Sequence, residues 1–312
     1  MEKQKIPVVV GPTASGKTGA AVALAKLRGG EVISADSMQI YRHMDIGTAK
    51  PTAQEMAGIP HHLIDCVDPD EAYSVARFKE EALAKIEDIL DRGRQPIVAG
   101  GTGLYVNGLT LPWGFREKDT DETVRKKLEA EAAQLGAEAL HKRLAAADPK
   151  SAAEIHPNNV KRVIRALEIY QVTGKAKSQL DAEARVTESL PYNYVLMGIA
   201  MPRERLYDRV NRRVDLMVEQ GLEAELRDLM SLGYSPELPA LKAIGYKELF
   251  PYLRGEMTLE AALEILKRDT RHFAKRQLTW FRKDQRITWF DAEVYPEADA
   301  MAQAMQLHFE QV

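Results

Sequence analysis

A single cysteine, Cys66, stands in a chain of 312 residues. No intramolecular disulfide and no cysteine-rich zinc site can form, and a reducing compartment suits that composition. Long apolar runs are missing as well. The first run, at residues 6–10, is too short for a signal-peptide core, and nothing later approaches membrane-spanning length. Internal repeats and low-complexity tracts are absent. Charge of one sign is absent too: 43 basic and 46 acidic residues leave −3, so any nucleic-acid surface has to be a local basic patch. What remains, 45% apolar and 29% charged residues, is the composition of a soluble globular protein with an ample core, in one large domain or two modest ones. A cytoplasmic monomer with no membrane partner is expected. Cys66, close to Leu63, Ile64 and Val67, is expected as a small core residue.

The stretch that organises the chain is GPTASGKT at 11–18, which fits G-x-x-x-x-G-K-[ST] throughout. An apolar run (6–10) precedes it and a helix-forming run (19–27) follows it, the strand–loop–helix context that the motif needs. Glycines let the backbone wrap around phosphate oxygens with several N–H groups pointing inward, and the following helix adds its positive end. Gly11, Pro12, Thr13, Ala14, Ser15, Gly16, Lys17 and Thr18 are therefore candidate diphosphate-binding residues. Lys17 supplies a point charge and the Thr18 hydroxyl a ligand for Mg²⁺. The motif specifies a di- or triphosphate. It specifies neither which one nor a phosphoryl transfer.

Residues 31–36 read as a short buried strand ending on Asp36, with Ser37, Met38 and Gln39 directly behind. In a parallel sheet ligands sit at the carboxyl ends of the strands, which puts Asp36 on the edge of the phosphate loop. The alternative for Asp36 is a turn or cap residue. A long mixed loop (40–60) follows, then the pair His61–His62, for which a hydrogen-bonding structural role is expected because no second ligand group has metal spacing. An amphipathic helix over 74–91 leads to a strand at 95–99 and the turn Gly100-Gly101-Thr102-Gly103, which brings Thr102 to the same edge. At Pro112-Trp113-Gly114 the pattern breaks, and residues up to about 191 are rich in Ala, Glu, Lys and Arg at helical spacing. A strand returns at 194–200, and a helix opened by Pro202 carries Arg205, Arg209, Arg212 and Arg213. Further helices are expected through Leu229 and around Tyr246. On the last long helix, 258–282, Arg268, Arg271, Lys275 and Arg282 fall within a sector about 60° wide, opposite Leu266, Phe273 and Trp280. Such a basic stripe on an acidic chain suggests a polyanion, the alternative being a salt-bridged surface helix.

The motifs GPTASGKT, ADSMQIYR, DIGTAKP, HHLID, GGTGLY, HPNN with RALE, AIGYKE and KRQLTWFRK occur in this order over nearly the whole chain. Together they resemble the bacterial tRNA dimethylallyltransferase (tRNA isopentenyltransferase) family. The phosphate loop is shared with many nucleotide-binding enzymes; ADSMQIYR and GGTGLY are far more specific. The resemblance implies an α/β, P-loop nucleoside-triphosphate-hydrolase-like core with a parallel sheet (1–113 and 192–312) and an all-helical insertion domain (114–191) that grips the anticodon stem. It implies transfer of a dimethylallyl group from dimethylallyl diphosphate to N6 of the adenosine at tRNA position 37, in tRNAs reading codons that begin with U, with Mg²⁺. Asp36 is then placed to accept the N6 proton, with Lys17, Arg213 and Thr102 around the diphosphate and the base. The base has to leave the loop stack to react. Asp36, Ser37, Met38, Gln39 and Thr102 meet the flipped adenosine and its neighbours. Arg125, Lys161, Arg162 and Arg165 meet the stem. Lys242, Gly245, Lys247, Lys275, Arg276, Gln277 and Arg282 meet phosphates and loop bases.

Three other readings compete. A P-loop small-molecule kinase shares the loop and the strand-end aspartate, but no lid or nucleotide-base pocket is identified and the basic helix goes unexplained. An adenylate dimethylallyltransferase leaves the helical insertion without a task. An RNA-binding ATPase module leaves Asp36 and Thr102 idle.

Overall fold

The structure, a computed structural model, describes residues 3–112, 121–187 and 189–312. The break expected at 113/114 lies outside the described residues. The chain divides into two compact units, 1–109 with 191–312, and 110–190.

The first unit is built on six strands: β1 (Lys5–Val10), β2 (Glu31–Ser34), β3 (His61–His62), β4 (Pro96–Gly100), β5 (Asn193–Ala200) and β6 (Thr288–Asp291). They form one sheet in the order β3-β2-β4-β1-β5-β6, and every pairing is parallel. The central strands are buried on both faces, which is why they read as continuous apolar runs rather than alternating ones. Helix α1 (Lys17–Arg28) packs on one face of the sheet and buries six consecutive residues, Ala20 to Ala25. Helix α2 (Ala53–Met56) is a single turn closed by a Thr52–Glu55 capping box. Helix α3 (Val75–Asp91), capped by Ser74, buries Phe78, Ala82, Ile86 and Ile89 against the opposite face, as does α4 (Gly103–Thr110) with Tyr105, Val106 and Leu109.

The second unit is helical: α5 (Glu122–Leu135), α6 (Ala137–Ala147), α7 (Pro149–Glu154), α8 (Val160–Thr173) and α9 (Lys177–Thr187). Leu128, Leu140, Leu144, Val163 and Leu167 form its core. Asp148 caps α7 through Ser151 N–H and also accepts from the amide and hydroxyl of Ser178. Burial pushes that carboxyl up; the Ser151 and Ser178 hydrogen bonds outweigh it and hold the group at about 2.

After β5 the first unit continues with α10 (Arg203–Glu219), α11 (Leu222–Ser231), α12 (Phe250–Leu253), α13 (Leu259–Phe281) and α14 (Ala298–Gln311). Helix α14 covers α1 with Met301, Ala302, Met305 and Phe309. A third cluster packs the 40–67 loop (Ile40, Met44, Val67) against Val214, Leu226, Tyr246 and Leu266. The helix expected around Tyr246 is not formed: residues 239–249 make turns, and α12 starts only at Phe250. Gly245 sits at φ 112°, a conformation that stops a helix, and its N–H is taken by the Glu248 carboxylate at 3.0 Å.

Candidate functional site

β1 and β4 are neighbours, yet the helices that follow them pack on opposite faces of the sheet. A crevice opens at the carboxyl ends of two strands whose connections diverge in this way. The phosphate loop leaves β1 at that point and the Gly-Gly-Thr turn leaves β4.

Within the loop, Ala14 at φ 62° and Gly16 at φ 92° are left-handed and turn the chain back on itself, a cradle of the kind that aims N–H groups at an anion. α1 begins directly at Lys17 without a side-chain cap, so its positive end stays available to an anion. Ser15 Oγ is buried with no hydrogen-bond partner among the described residues. The Lys17 ammonium reaches back to Pro12 O at 3.5 Å. Burial lowers its pKa to about 8, with Asp36 opposing the shift and Arg213 adding to it.

Two arginines one turn apart on α10 close over the loop. Arg213 Nη1 donates to Thr13 Oγ1 at 3.2 Å, and Arg209 Nε donates to Ala14 O at 2.7 Å. Burial lowers the pKa of both guanidinium groups; Glu55 and Asp36 counter it at Arg213, while Arg205 and Arg212 reinforce it at Arg209. The loop, these four arginines, Glu55 and Glu297 line a cavity of about 690 Å³, with Ile199, Met201 and Leu216 as apolar wall. Five cations against two carboxylates suit a diphosphate. Sequence reasoning gives Arg209 no role of its own; its i,i+4 spacing to Arg213 is the available signal.

The carboxylate side is equally ordered. Asp36 Oδ1 accepts Met38 N–H at 3.0 Å, and Ser37 N–H donates to Thr102 Oγ1 at 2.9 Å. The Thr102 hydroxyl in turn donates to Ser37 Oγ at 3.2 Å, and Thr102 N–H donates to Ala35 O at 3.2 Å. Asp36, Ser37 and Thr102 are thus brought together, near enough to the loop for Asp36 to act on Lys17 and Arg213. Gln39 is held inward: its Oε1 accepts from Ser34 Oγ at 3.2 Å and its Nε2 donates to Ala49 O at 3.1 Å.

The basic residues divide. Lys275 and Arg276 on α13 and Arg282 at its C-cap are exposed, and Arg276 lies over the Phe273 ring at 5.8 Å. Arg271 donates to Asn211 Oδ1 at 2.7 Å and Arg268 pairs with Asp269 at 3.0 Å, so the stripe is partly engaged. Gln277, expected to face RNA, is instead buried: α13 turns it inward, where it accepts Thr13 N–H at 2.8 Å and donates to Gly101 O at 2.9 Å. Lys242 pairs with Glu237 at 2.7 Å, and Lys247 lies 3.5 Å from Glu248. In the helical unit, Arg125 and Arg165 both pair with Glu168 at 3.0 Å, a carboxylate with 0% exposure, while Lys161 and Arg162 are exposed. Arg125 and Arg165 therefore neutralise a buried charge whatever else they meet.

His61 Nδ1 lies 2.8 Å from Ile59 O and His62 Nε2 lies 2.7 Å from Glu31, a hydrogen-bonding role. Among the described residues no group of three or more His, Cys, Asp or Glu could hold a metal ion. Of the hydroxyls in the loop, that of Thr18 at the start of α1 would suit an Mg²⁺ that keeps most of its water ligands. No helix of the described residues is long and apolar enough to cross a membrane.

Known proteins resemble this chain over nearly its whole length. The IPP transferase family model matches residues 39–284. A tRNA dimethylallyltransferase of Acetivibrio thermocellus is 54% identical over 92% of either chain, and one of Halalkalibacterium halodurans is 51% identical over 98% of this chain and 96% of its own. Among solved structures, a full-length tRNA isopentenylpyrophosphate transferase of Bacillus halodurans superposes with a TM-score of 0.70 at 48% identity over 98% of both chains. A eukaryotic dimethylallyltransferase acting on tRNA superposes at 0.82, with 33% identity over 97% of this chain and 78% of the other. The chain belongs to the IPP transferase family.

Proposed function

We propose that this member of the IPP transferase family transfers the dimethylallyl group of dimethylallyl diphosphate to N6 of the adenosine at tRNA position 37, in tRNAs reading codons that begin with U. The observation that carries the reading is the convergence, at one sheet edge, of a phosphate cradle with its arginines and a carboxylate–threonine pair, in a chain of this family.

The lone pair of N6 is delocalised into the adenine ring, so the amine is a weak nucleophile. The Asp36 carboxylate is the group placed to accept its proton as the N6–carbon bond forms. The allylic carbon–oxygen bond breaks and its electron pair leaves on the diphosphate. Lys17, Arg213, Arg209 and the loop N–H groups stabilise the charge gathered there. The Thr18 hydroxyl would hold an Mg²⁺, which would supply further neutralisation of the leaving diphosphate. Thr102, anchored to Ser37, positions the carboxylate loop against the base. The exposed Lys275, Arg276 and Arg282, with Lys161 and Arg162, supply phosphate contacts to the anticodon stem-loop, whose unpaired bases are the usual targets of RNA recognition. The core is of the P-loop type, with the strand carrying the loop at its centre. A monomer acting in the cytoplasm completes the reading.

The test uses the purified chain, Mg²⁺, unmodified tRNA and allyl-labelled dimethylallyl diphosphate, with AMP or ADP replacing tRNA in a second reaction and γ-labelled ATP offered in a third. Label in tRNA alone supports the proposal. Label in AMP or ADP makes the enzyme an adenylate dimethylallyltransferase, and transfer from ATP alone makes it a kinase.

A further inference from the structure

Helix α13 has two faces with different tasks, and Gln277 is where they meet. Its outward neighbours Lys275 and Arg276 are exposed, while Gln277 itself is 6% exposed. Both ends of its amide are used. Oε1 takes the N–H of Thr13 from the phosphate loop, and Nε2 gives its proton to Gly101 O in the turn after β4. The two partners belong to opposite halves of the site. Thr13 carries the hydroxyl that Arg213 holds, and Gly101 precedes the Thr102 that holds Ser37 beside Asp36. One side chain therefore spans the diphosphate loop and the carboxylate loop, and it stands on the helix that carries the basic stripe.

The fit is close on both sides. A Cβ on Gly101 would collide with Gln277 Nε2, and a Cβ on Gly103 would collide with the Trp280 ring, three residues further along the same helix. Gln277 and Trp280 thus clamp the Gly-Gly-Thr turn from one helical face. A displacement of α13 cannot leave either loop in place without breaking a buried hydrogen bond, which leaves a polar group unsatisfied at considerable cost. A hydrophobic residue of the same size would fill the space without joining the loops; the amide, with one donor and one acceptor aimed at two backbones, is specific to joining them.

We propose that Gln277 is a positioning residue that couples the RNA-facing helix to the diphosphate loop, so that RNA bound along Lys275, Arg276 and Arg282 tightens the grip on diphosphate. This rests on the transfer reading above for the identity of both ligands. Gln277 acts through Thr13 and Gly101. By linkage, diphosphate strengthens RNA binding by the same factor. The claim needs a measured coupling, since adjacency alone does not establish one.

The experiment measures the dissociation constant of inorganic diphosphate with Mg²⁺, in the presence and absence of a saturating anticodon stem-loop RNA, for the full chain and for Gln277→Glu and Gln277→Met. Gln277→Glu keeps an acceptor for Thr13 N–H but cannot donate to Gly101 O; Gln277→Met keeps the length and loses both bonds. In the unaltered chain RNA is expected to tighten diphosphate by at least about fivefold, within the range of measured site-to-site couplings. In both variants that ratio falls toward one and the thermal unfolding midpoint drops by the cost of the lost hydrogen bonds, while RNA affinity in the absence of diphosphate stays close to the unaltered value. A ratio of one in the unaltered chain overturns the proposal, as does a variant that retains the ratio. A variant that loses RNA affinity and stability together shows a purely structural role and overturns it as well. Prenyl transfer by the unaltered chain is assayed in parallel. Transfer without coupling removes the Gln277 inference and leaves the transfer reading standing; coupling without transfer does the reverse.

Discussion

The Tyr246 phenol donates to Glu225 Oε1 at 2.8 Å, and the same carboxylate accepts three backbone amides of the 45–47 turn: Asp45 at 2.8 Å, Ile46 at 2.7 Å and Gly47 at 2.9 Å. Tyr246 is fully buried and its ring lies so close to Gly47 that a Cβ there has no room. The DIGTAKP and AIGYKE stretches, far apart in the chain, are two sides of one lock. Lys50 tightens it by pairing with Asp45 and Asp65 and donating to Tyr41 O at 2.9 Å.

From that lock follows a stability difference. Glu225→Ala strands three N–H groups and one phenol and is expected to cost about 3 kcal/mol or more, whereas Tyr246→Phe removes a single charge-assisted bond worth about 1.5–3 kcal/mol. Urea unfolding of both variants checks the order. Equal losses would mean the carboxylate does not hold the turn.

Burial lowers the pKa of the Lys17 ammonium to about 8. Its charged form is the one that attracts diphosphate. Diphosphate affinity is therefore full below pH 8 and declines as pH rises through that value, by at most about tenfold per unit if a single proton is lost. Lys17→Met removes this limb along with most of the affinity. The linked effect on stability has the opposite sign. The folded chain gives up its proton near pH 8 and the unfolded chain only near 10.5, so the penalty for burying the charge is fully present below 8 and is relieved as pH rises toward 10.5. Calorimetric titration of diphosphate from pH 7 to 9.5 tests the first statement.

Asp36→Ala is expected to lower kcat by about 10²- to 10⁴-fold, the usual share of a positioned base. Affinity for tRNA should stay within about twofold. Single-turnover rates with separately measured tRNA binding distinguish this from loss of the site, because a collapsed 36–39 turn would lower both together.

Charge reversal at the exposed Lys275 of α13 and Arg282 at its C-cap is expected to weaken tRNA binding and flatten its dependence on salt, by about one unit of slope for each phosphate no longer neutralised. Binding curves between 50 and 300 mM salt, on the order of the range where such slopes are read, settle it. An unchanged slope removes the helix from the interface.

Much of the site was legible because its signals are local. A phosphate loop has to follow a strand and open a helix, and a strand-end aspartate has to lie on the ligand edge of a parallel sheet. Those rules place Lys17, Thr18, Asp36 and Thr102 without any knowledge of the rest. Helical periodicity located the exposed Lys275 and Arg282 on α13 and, opposite them, the buried Leu266. It failed at Tyr246, where the apolar and charged residues of AIGYKE have helical spacing but Gly245 takes a left-handed conformation that spacing does not report.

Other roles depend on partners remote in sequence. Whether an arginine meets RNA or a buried acid turns on what faces it: Arg125 faces Glu168, 43 positions away, and composition is the same in either case. Whether Gln277 lies outward with Lys275 and Arg276 or inward is decided by about 100° per residue of helical rotation and by which face the sheet covers. The parallel α/β core, the phosphate loop and the carboxylate beside it follow from the order of neighbouring residues. That Arg209 and Arg213 close over the loop, that Glu225 pins the 45–47 turn and that Gln277 bonds to both Thr13 and Gly101 depends on how the chain packs. Those bonds span distant segments, and chain order alone does not say which distant backbone a side chain will meet.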